Sequence, residues 1–513
     1  MFAKYNNNKN NKESIIATTA IAAASVVAVI GYYIYKNNNN NNQNDNDSQK
    51  SNTMISTPPP PAAASSSGCP FSRGASKTKA SYPNAAKMTK EGVITNLQDV
   101  KRSSEGMGLP TSLEKEVIDI ILATAPAVAP QILDITKRFY TNVLGAHPEL
   151  LQFFNAAHNV PISDEQPKAL AGSVIAYVTN ITDLTPLLVP GGPVAAICHR
   201  HCALAIHPMQ YVVVHDALMG AIGEILGDIV TPDIANAWST IVLFLAKAMI
   251  DTEESLYHMA EQRNGGWSGF AEFTVTKIDD ITSEVKRLTF QPTPDSPLAG
   301  TTSFDFTPGQ YLSLQIDMDN DGRSAPRHYT CTSTPGTDSL SCTIKKHGRG
   351  KLSTYVHEVL EVGDTVTLSA PFGVFVEPEK EEEGNVEGVT STVLMSAGIG
   401  VTPMINLYNS KTTDVKLVVH IDKTPDLHPY KKYFDDTGVP SLFKYTKNST
   451  RPTPEELVHD TMELVGTQHH FYLCGPAQWM DDTSKELLAQ GAQKVICEVF
   501  GSQLATGCPF FAG

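Results

Sequence analysis

Near Gly265 the hydrophobic period of this chain changes, and no single-layer fold can accommodate both sides of that change. From Thr111 to about Gln262 apolar residues recur every three or four positions, as on amphipathic helices. After the segment Gly265 to Phe270, reading GGWSGF, the pattern alternates, as at Phe273 and Val275 and along Tyr311-Leu312-Ser313-Leu314. That is the period of strands with one buried face. A third pattern begins at Thr392, where TVLMSAG reads as a parallel strand buried on both faces and opening into a glycine turn. An all-α domain at 106–263, an all-β domain at 264–378 and an α/β domain with a parallel sheet at 391–513 are expected, with an acidic loop at 379–390. A chain of 513 residues suits about three domains, and 41% hydrophobic residues suffices for their cores.

The first hundred residues are different material. Ile15 to Tyr35 carries no charge over about 21 residues, and as a helix it spans roughly 30 Å, enough for a bilayer. It reads as a membrane anchor. A cleavable targeting peptide is the alternative, since Ala22-Ala23-Ala24-Ser25 dilutes the run, and flanking Lys12 and Lys36 leave its orientation open. Residues 1–36 thus form an anchor or targeting segment. Residues 37–105, with the Asn37–Asn44 tract, Pro58–Pro61 and a Ser/Ala-rich stretch, read as a disordered linker with too little apolar surface to fold. GCPF occurs at Gly68–Phe71 and again at Gly507–Phe510, and nothing in the sequence explains the repeat.

Net charge of −15 argues against a nucleic-acid partner, because no basic stripe exists to neutralise phosphates. The 8 cysteines contain no CxxC pair and are scattered from Cys69 to Cys508, which suits reduced thiols. The close pair Cys198 and Cys202 reads as helix packing.

Four strings carry chemistry, and they occur in a fixed order. Val194, Ile197, Cys198, His201 and Ala205 share one helical face, while His199 points about 160° away from His201. A neutral imidazole on an apolar wall is what a haem iron needs as proximal ligand, although a histidine satisfied within a helical core is the commoner arrangement. RHYT follows at Arg327–Thr330, then GRGKLS at Gly348–Ser353, whose glycines let backbone N–H groups approach an anion. GIGVTP at Gly398–Pro403 provides a tight turn before a helix N-terminus, and FYLCGP at Phe471–Pro476 ends a second buried strand.

TKRFYTNVLGAHPELLQFF at Thr136–Phe154, with RHCALAIHPMQY at Arg200–Tyr211, closely resembles the globin domain of flavohaemoglobins, and the resemblance continues to the C-terminus. It implies His201 as iron ligand, Tyr140 and Gln166 on the distal side, Phe154 against the porphyrin and Leu170 over the iron. Gln166 and Leu170 are four apart and share a helical face. Gln166 is also spaced as a capping-box partner of Ser163. Tyr211 resembles the tyrosine that pairs with a glutamate behind the proximal histidine. Counted from Trp238 and Tyr257, that glutamate position falls on Ser255, with Glu253 and Glu254 just before it, so either Glu254 reaches the histidine after a local shift or the push on the iron is weaker, which favours an oxidase or a reductase for other acceptors. Arg200 stands where bacterial members often carry lysine.

The remainder resembles the ferredoxin-reductase family, which implies a six-stranded antiparallel flavin barrel. Arg327 would pair with the flavin phosphate, Tyr329 lie against the ring and Thr330 hydrogen-bond to it, with Gly350, Lys351, Leu352 and Ser353 as a second phosphate cradle and Gln310 in support. Gly398, Gly400, Thr402 and Pro403, then Cys474, Gly475 and Pro476, would hold the nicotinamide nucleotide, with Glu498 and Phe500 over the flavin edge. The cofactors implied are haem b, FAD and NADH or NADPH, the choice between the last two being open. The activity implied is nitric oxide dioxygenation with nitric oxide and oxygen as substrates. A haem-flavin oxidase or reductase for other acceptors, and a tethered gas sensor, are the alternatives. Catalytic domains facing the cytoplasm are expected, since a nicotinamide enzyme outside the cell would lack reductant. Processed cytoplasmic or mitochondrial forms are alternatives, and oligomeric state is not legible.

Overall fold

The computed structural model describes residues 102–154, 160–189, 192–318, 326–348, 350–377, 391–410, 414–447 and 449–500. Ile15–Tyr35, the linker as far as residue 101, both GCPF strings and the acidic loop at 379–390 lie outside them. The last linker residues are described and packed, with Ser103 buried and Ser104 Oγ donating to Asp251 Oδ1 at 2.5 Å.

Helices α1 (Lys115–Val128), α2 (Ile132–Ala146), α3 (Glu165–Thr179), α4 (Pro193–Ala203), α5 (Pro208–Leu226) and α6 (Pro232–Glu261) form the first domain. Prolines at the first position of α4, α5 and α6 start these helices where a missing N–H is harmless. Thr111 and Glu114 have the spacing of a capping box, but none forms: α1 begins at Lys115, and its N-cap Glu114 makes no side-chain cap bond. Helix α6 is the spine. Trp238, Ile241, Met249, Ile250, Glu253, Tyr257 and Ala260 fall on its buried side, and α4 packs along it. Cys198 and Cys202 are fully buried against α6, with their thiols at the carbonyls of Met249 and Glu253, so their role is packing. Two described stretches, Lys115–Ala146 and Pro232–Glu261, are long and apolar enough to cross a membrane, but they are packed core helices of this domain.

Strands β1 (Phe270–Thr282), β2 (Val285–Pro292), β3 (Tyr311–Gln315), β4 (Arg327–Thr330), β5 (Leu340–Lys345) and β6 (Thr365–Ser369) form an antiparallel sheet in the order β4-β3-β6-β1-β2-β5. The two edges meet: the backbones of Cys331 and Cys342, both free thiols, pair in an antiparallel β-bridge, and Thr332 N–H donates to Ser341 O at 2.7 Å, closing the barrel and removing its free edges. Helix α7 (Lys351–Glu358) plugs it. The end of α6 is bolted to the barrel by Arg263, whose guanidinium donates to Gln310 Oε1 at 2.7 Å and Thr307 Oγ1 at 3.0 Å.

The third domain is a five-stranded parallel sheet, β7 (Ser391–Ala397), β8 (Asp414–Asp422), β9 (Ser441–Tyr445), β10 (His470–Cys474) and β11 (Lys494–Glu498), in the order β11-β10-β7-β8-β9. The order reverses between β7 and β10, so the crevice at their C-terminal ends is where a nucleotide belongs. Helix α8 (Val401–Asn409) follows β7. Its fully buried Asn406 accepts from Gly309 N–H at 2.6 Å and donates to Ser333 O at 2.9 Å, locking this domain onto the barrel.

The glycines of the β7–α8 turn serve different needs. Gly398 has φ +56 with open space around it, whereas a Cβ on Gly400 would lie 2.1 Å from Cys474 O. Gly398→Ala should cost about 1 kcal/mol of backbone strain. Gly400→Ala should cost several-fold more, because backbone must move. Thermal melting of the two variants checks this, and equal losses would contradict the close approach of the turn to β10.

Candidate functional site

Three groups of side chains line up along the chain of domains. The first lies on α4 and its neighbours. His201 Nδ1 is 2.8 Å from Glu253 Oε1 and 2.8 Å from Tyr211 Oη, and Tyr211 donates to the same carboxylate oxygen at 2.5 Å. Since Tyr211 already donates to Glu253, Nδ1–H is the second donor to that carboxylate, which leaves Nε2 with its lone pair and no hydrogen-bond partner among the described residues. Glu253 is 3% exposed, so both donors are needed to support it. Burial, and next the Glu253 charge, push the Tyr211 phenol well above its ordinary range, keeping it a donor.

This corrects the expected glutamate. The carboxylate behind His201 is Glu253, not Glu254, and Ser255 is an exposed residue bonded to Asp251 O. Position 253 lies four residues before the buried Tyr257 and three after the buried Ile250, on the inner stripe of α6. Positions 254 and 255 lie off that stripe, so counting along the chain misplaced the partner that helical phase selects.

On α2, Tyr140 is buried, edge-on to Phe139 and to Phe154 with ring centroids 4.8 and 5.5 Å away. Burial raises its phenol to about 12, opposed in part by a hydrogen bond with Gln166. Gln166 is therefore directed at Tyr140. Ser163 accepts instead from Glu165 N–H, so no capping box with Gln166 forms. Leu170, one turn on, and Phe154 pack against the same core.

The second group is on the barrel. Pairing of Tyr311 with Thr330 and of Leu312 with Tyr329 sets the RHYT strand beside β3. Thr330 is buried with its hydroxyl 3.4 Å from Thr402, which brings the second and third domains together at this point. Arg327 donates to Pro326 O at 2.8 Å, and burial lowers its guanidinium pKa. Gly350 caps α7 without a side-chain bond, so the first N–H groups of Lys351, Leu352 and Ser353 remain available to an anion. Gln310, expected beside the flavin, directs its side-chain oxygen to Arg263 and to Thr307 N–H. The neighbouring Tyr311 was missed. Its ring stacks on His328 at 4.8 Å, its hydroxyl bonds Arg200 of α4, and the Glu498 charge acts on it from the third domain. His328 is driven down to about 3, first by burial and then by Arg200 and Arg327, and its buried Nε2 has no partner among the described residues.

The third group is at the sheet crevice. Register places Ser396, Cys474 and Glu498 side by side at the ends of β7, β10 and β11. Cys474 is fully buried, and burial followed by the Glu498 charge raises its thiol well above the usual range, so it is no nucleophile at neutral pH. Thr402 is held by Ile399 O at 3.1 Å, with Pro403 beside it in the first turn of α8. Gly475 lies against Trp479, where a Cβ would be 2.8 Å from the ring, and Pro476 caps the following helix, α9 (Ala477–Ala489). Phe500 is exposed at the end of the described chain. A feature not read from sequence is the stacked pair His420 and His428, 3.9 Å apart, with Ser396 Oγ 2.8 Å from His420 Nδ1. Burial lowers both imidazoles, His428 to about 2.

The donor sets fit the groups expected of them. His201 offers a free imidazole nitrogen with a carboxylate behind it. The barrel offers an uncapped helix N-terminus, an orphaned buried imidazole nitrogen and a threonine hydroxyl. The third domain offers a glycine turn at a topological switch point. Fold and site together define a haem- and flavin-dependent oxidoreductase that draws hydride from NAD(P)H.

Comparison with known proteins agrees. Residues 137–249 match the globin family model, and 272–376 match the oxidoreductase FAD-binding domain. The chain is 30% identical over 412 residues to the Flavohemoprotein of Bacillus subtilis, covering 77% of this chain and 98% of that one. It is 34% identical over 404 residues to the Flavohemoprotein of Deinococcus radiodurans, covering 74% and 95%. The crystal structure of flavohemoglobin from Malassezia yamatoensis with bound FAD and heme superposes with a TM-score of 0.62 at 26% identity, over 76% of this chain and 100% of that one. The chain belongs to the flavohaemoprotein family, with haem, FAD and NAD(P)H as its cofactors.

Glu253→Ala should destabilise the first domain by about 2–4 kcal/mol, since two half-buried donors lose their shared acceptor. Ser255→Ala should lie within about 0.5 kcal/mol of wild type. Urea unfolding followed by the far-ultraviolet helical signal tests both, and comparable losses would contradict the assignment of Glu253.

Proposed function

We propose that the protein converts nitric oxide and oxygen to nitrate at the expense of NADH or NADPH, a nitric oxide dioxygenase serving nitric oxide detoxification. When bound, the three cofactors supply a gas-binding iron, a step-down from two electrons to one, and hydride. The observation that carries the reading is the buried Tyr140 phenol, aimed by Gln166 and kept protonated by burial. Such a phenol can donate to an oxygen atom acquiring negative charge, and in a water-poor pocket that donation is strongest. Behind His201, Glu253 and Tyr211 fix the ring and make its Nε2 a better electron donor. In the third domain, Cys474 beside Glu498 shapes the crevice for hydride transfer without itself ionising. An oxidase or a reductase for other acceptors gained plausibility from Ser255, and the carboxylate of Glu253 at His201 takes that gain away. A gas sensor would need the reductase only to keep its iron ferrous, which is less than a complete hydride-to-flavin apparatus provides.

The test is nitric oxide decay at an electrode with nitrate assayed afterwards, on haem- and FAD-loaded protein with oxygen and NADH. Nitrate should match the nitric oxide consumed, His201→Ala should abolish turnover, and Tyr140→Phe should slow it about tenfold or more. Decay at the uncatalysed rate by protein that still binds oxygen would refute the proposal. The phenol also sets a pH dependence. Its pKa is raised from 10.0 to about 12, so the donor form persists through pH 10.0 and is lost only toward 12. Oxygen dissociation from reduced protein should stay flat through pH 10.0, and acceleration in the neutral range that Tyr140→Phe removes would contradict this.

The uncharged run Ile15–Tyr35 supports a tether that keeps the catalytic domains at a cytoplasmic membrane face. The full chain should then remain in the membrane pellet after alkaline carbonate extraction, and complete release would contradict the tether.

A further inference from the structure

We propose that His199 is a positioning residue that docks the flavin barrel onto the helix carrying the iron ligand, and so governs electron transfer from flavin to haem. The proposal rests on the haem-flavin chemistry of the family and not on the gas that is finally consumed. His199 and His201 are two residues apart on α4 and therefore face nearly opposite ways. His201 turns to Glu253 and Tyr211 inside the first domain, while His199 Nδ1 accepts from the backbone N–H of Gly373 in the barrel at 2.9 Å.

That N–H is joined to the flavin strand through few atoms. Phe372, just before Gly373, exchanges both backbone hydrogen bonds with Tyr311 at 2.8 Å, and Tyr311 is the cross-strand partner of Thr330 in RHYT. The Phe372 ring fills the junction, edge-on to His199 at 6.2 Å and to Tyr257 of α6 at 5.9 Å. Two residues of α4, one hydrogen bond and two cross-strand pairs, Phe372 with Tyr311 and Tyr311 with Thr330, thus separate the iron ligand from the flavin-binding strand. Arg263 to Gln310 and Asn264 to Asp305 hold the end of α6, and on α4 the neighbouring Arg200 bonds the Tyr311 side chain. Of the two α4 residues that reach the barrel, His199 is the one that grips its backbone, at Gly373. Transfer between two centres falls steeply with separation, and small misplacement of reacting groups costs rate far out of proportion to its size.

Two readouts on the full chain test this, one without cofactors. In apoprotein, the Gly373 amide should exchange with solvent about tenfold faster in His199→Ala than in wild type, the loss expected for one buried hydrogen bond. In His199→Gln, whose amide oxygen can accept the same bond, protection should remain. In loaded protein mixed anaerobically with NADH, flavin reduction should be unchanged in His199→Ala while haem reduction slows about tenfold or more. His199→Leu, which fills the space without an acceptor, should behave like alanine and provides the test if the smaller variant does not fold. An unaltered carbon monoxide difference spectrum of reduced protein would show that His201 ligation is intact. Unchanged Gly373 exchange, or haem reduction as fast as wild type in the leucine variant, would overturn the proposal. None of these readouts involves nitric oxide, so failure of the dioxygenase reading would leave them as they are.

Discussion

A carboxylate with 3% of its surface exposed cannot be left without donors, and the first domain is arranged around that requirement at Glu253. Its donors come from two other helices, His201 on α4 and Tyr211 on α5, so one buried charge fixes the rotation of three helices together. Rotation of α4 decides everything beyond. With His201 turned inward, His199 and Arg200 must present themselves to the barrel, and both find partners there, Gly373 N–H and the Tyr311 hydroxyl.

The barrel and the third domain are joined with the same economy of contacts. Asn406 reaches from α8 to Gly309 and Ser333, and Thr402 approaches Thr330. Gly400 lets its turn touch the end of β10, so the turn and Cys474 form one surface. Tyr311 lies at the meeting point of all three domains, within reach of Arg200 from the first and the Glu498 charge from the third. Order along the chain is thus order in space: helical domain, barrel, parallel-sheet domain.

The change of period at Gly265 made the three-layer organisation readable, because a helical stripe and an alternating strand are incompatible patterns. Site residues carried by local strings were readable too: RHYT, the glycine turn and the CGP strand end all lie where their sequences imply. Residues defined by partners far along the chain were not. Glu253 meets His201 across 52 positions, and Gly373 meets His199 across 174, separations that no local spacing encodes. Helical phase would have helped at Glu253, since Ile250, Glu253, Tyr257 and Ala260 share the buried stripe and Ser255 does not. At PGQY the error was one of neighbours. Gln310, just before β3, turns to the α6 junction, while the Tyr311 side chain stacks on His328 and reaches Arg200.

The claim at the centre of this account is that Glu253 acts on the iron through His201. Resonance Raman spectroscopy of the reduced protein reads that link directly in the iron–histidine stretching band, in wild type and in Glu253→Gln, which keeps shape and removes charge. A band that falls in frequency in the glutamine variant is the predicted result, because the ring Nδ1–H then meets a weaker acceptor and Nε2 becomes a poorer donor. An unshifted band would mean that Glu253 only holds the helices together and that the push on the iron comes from elsewhere.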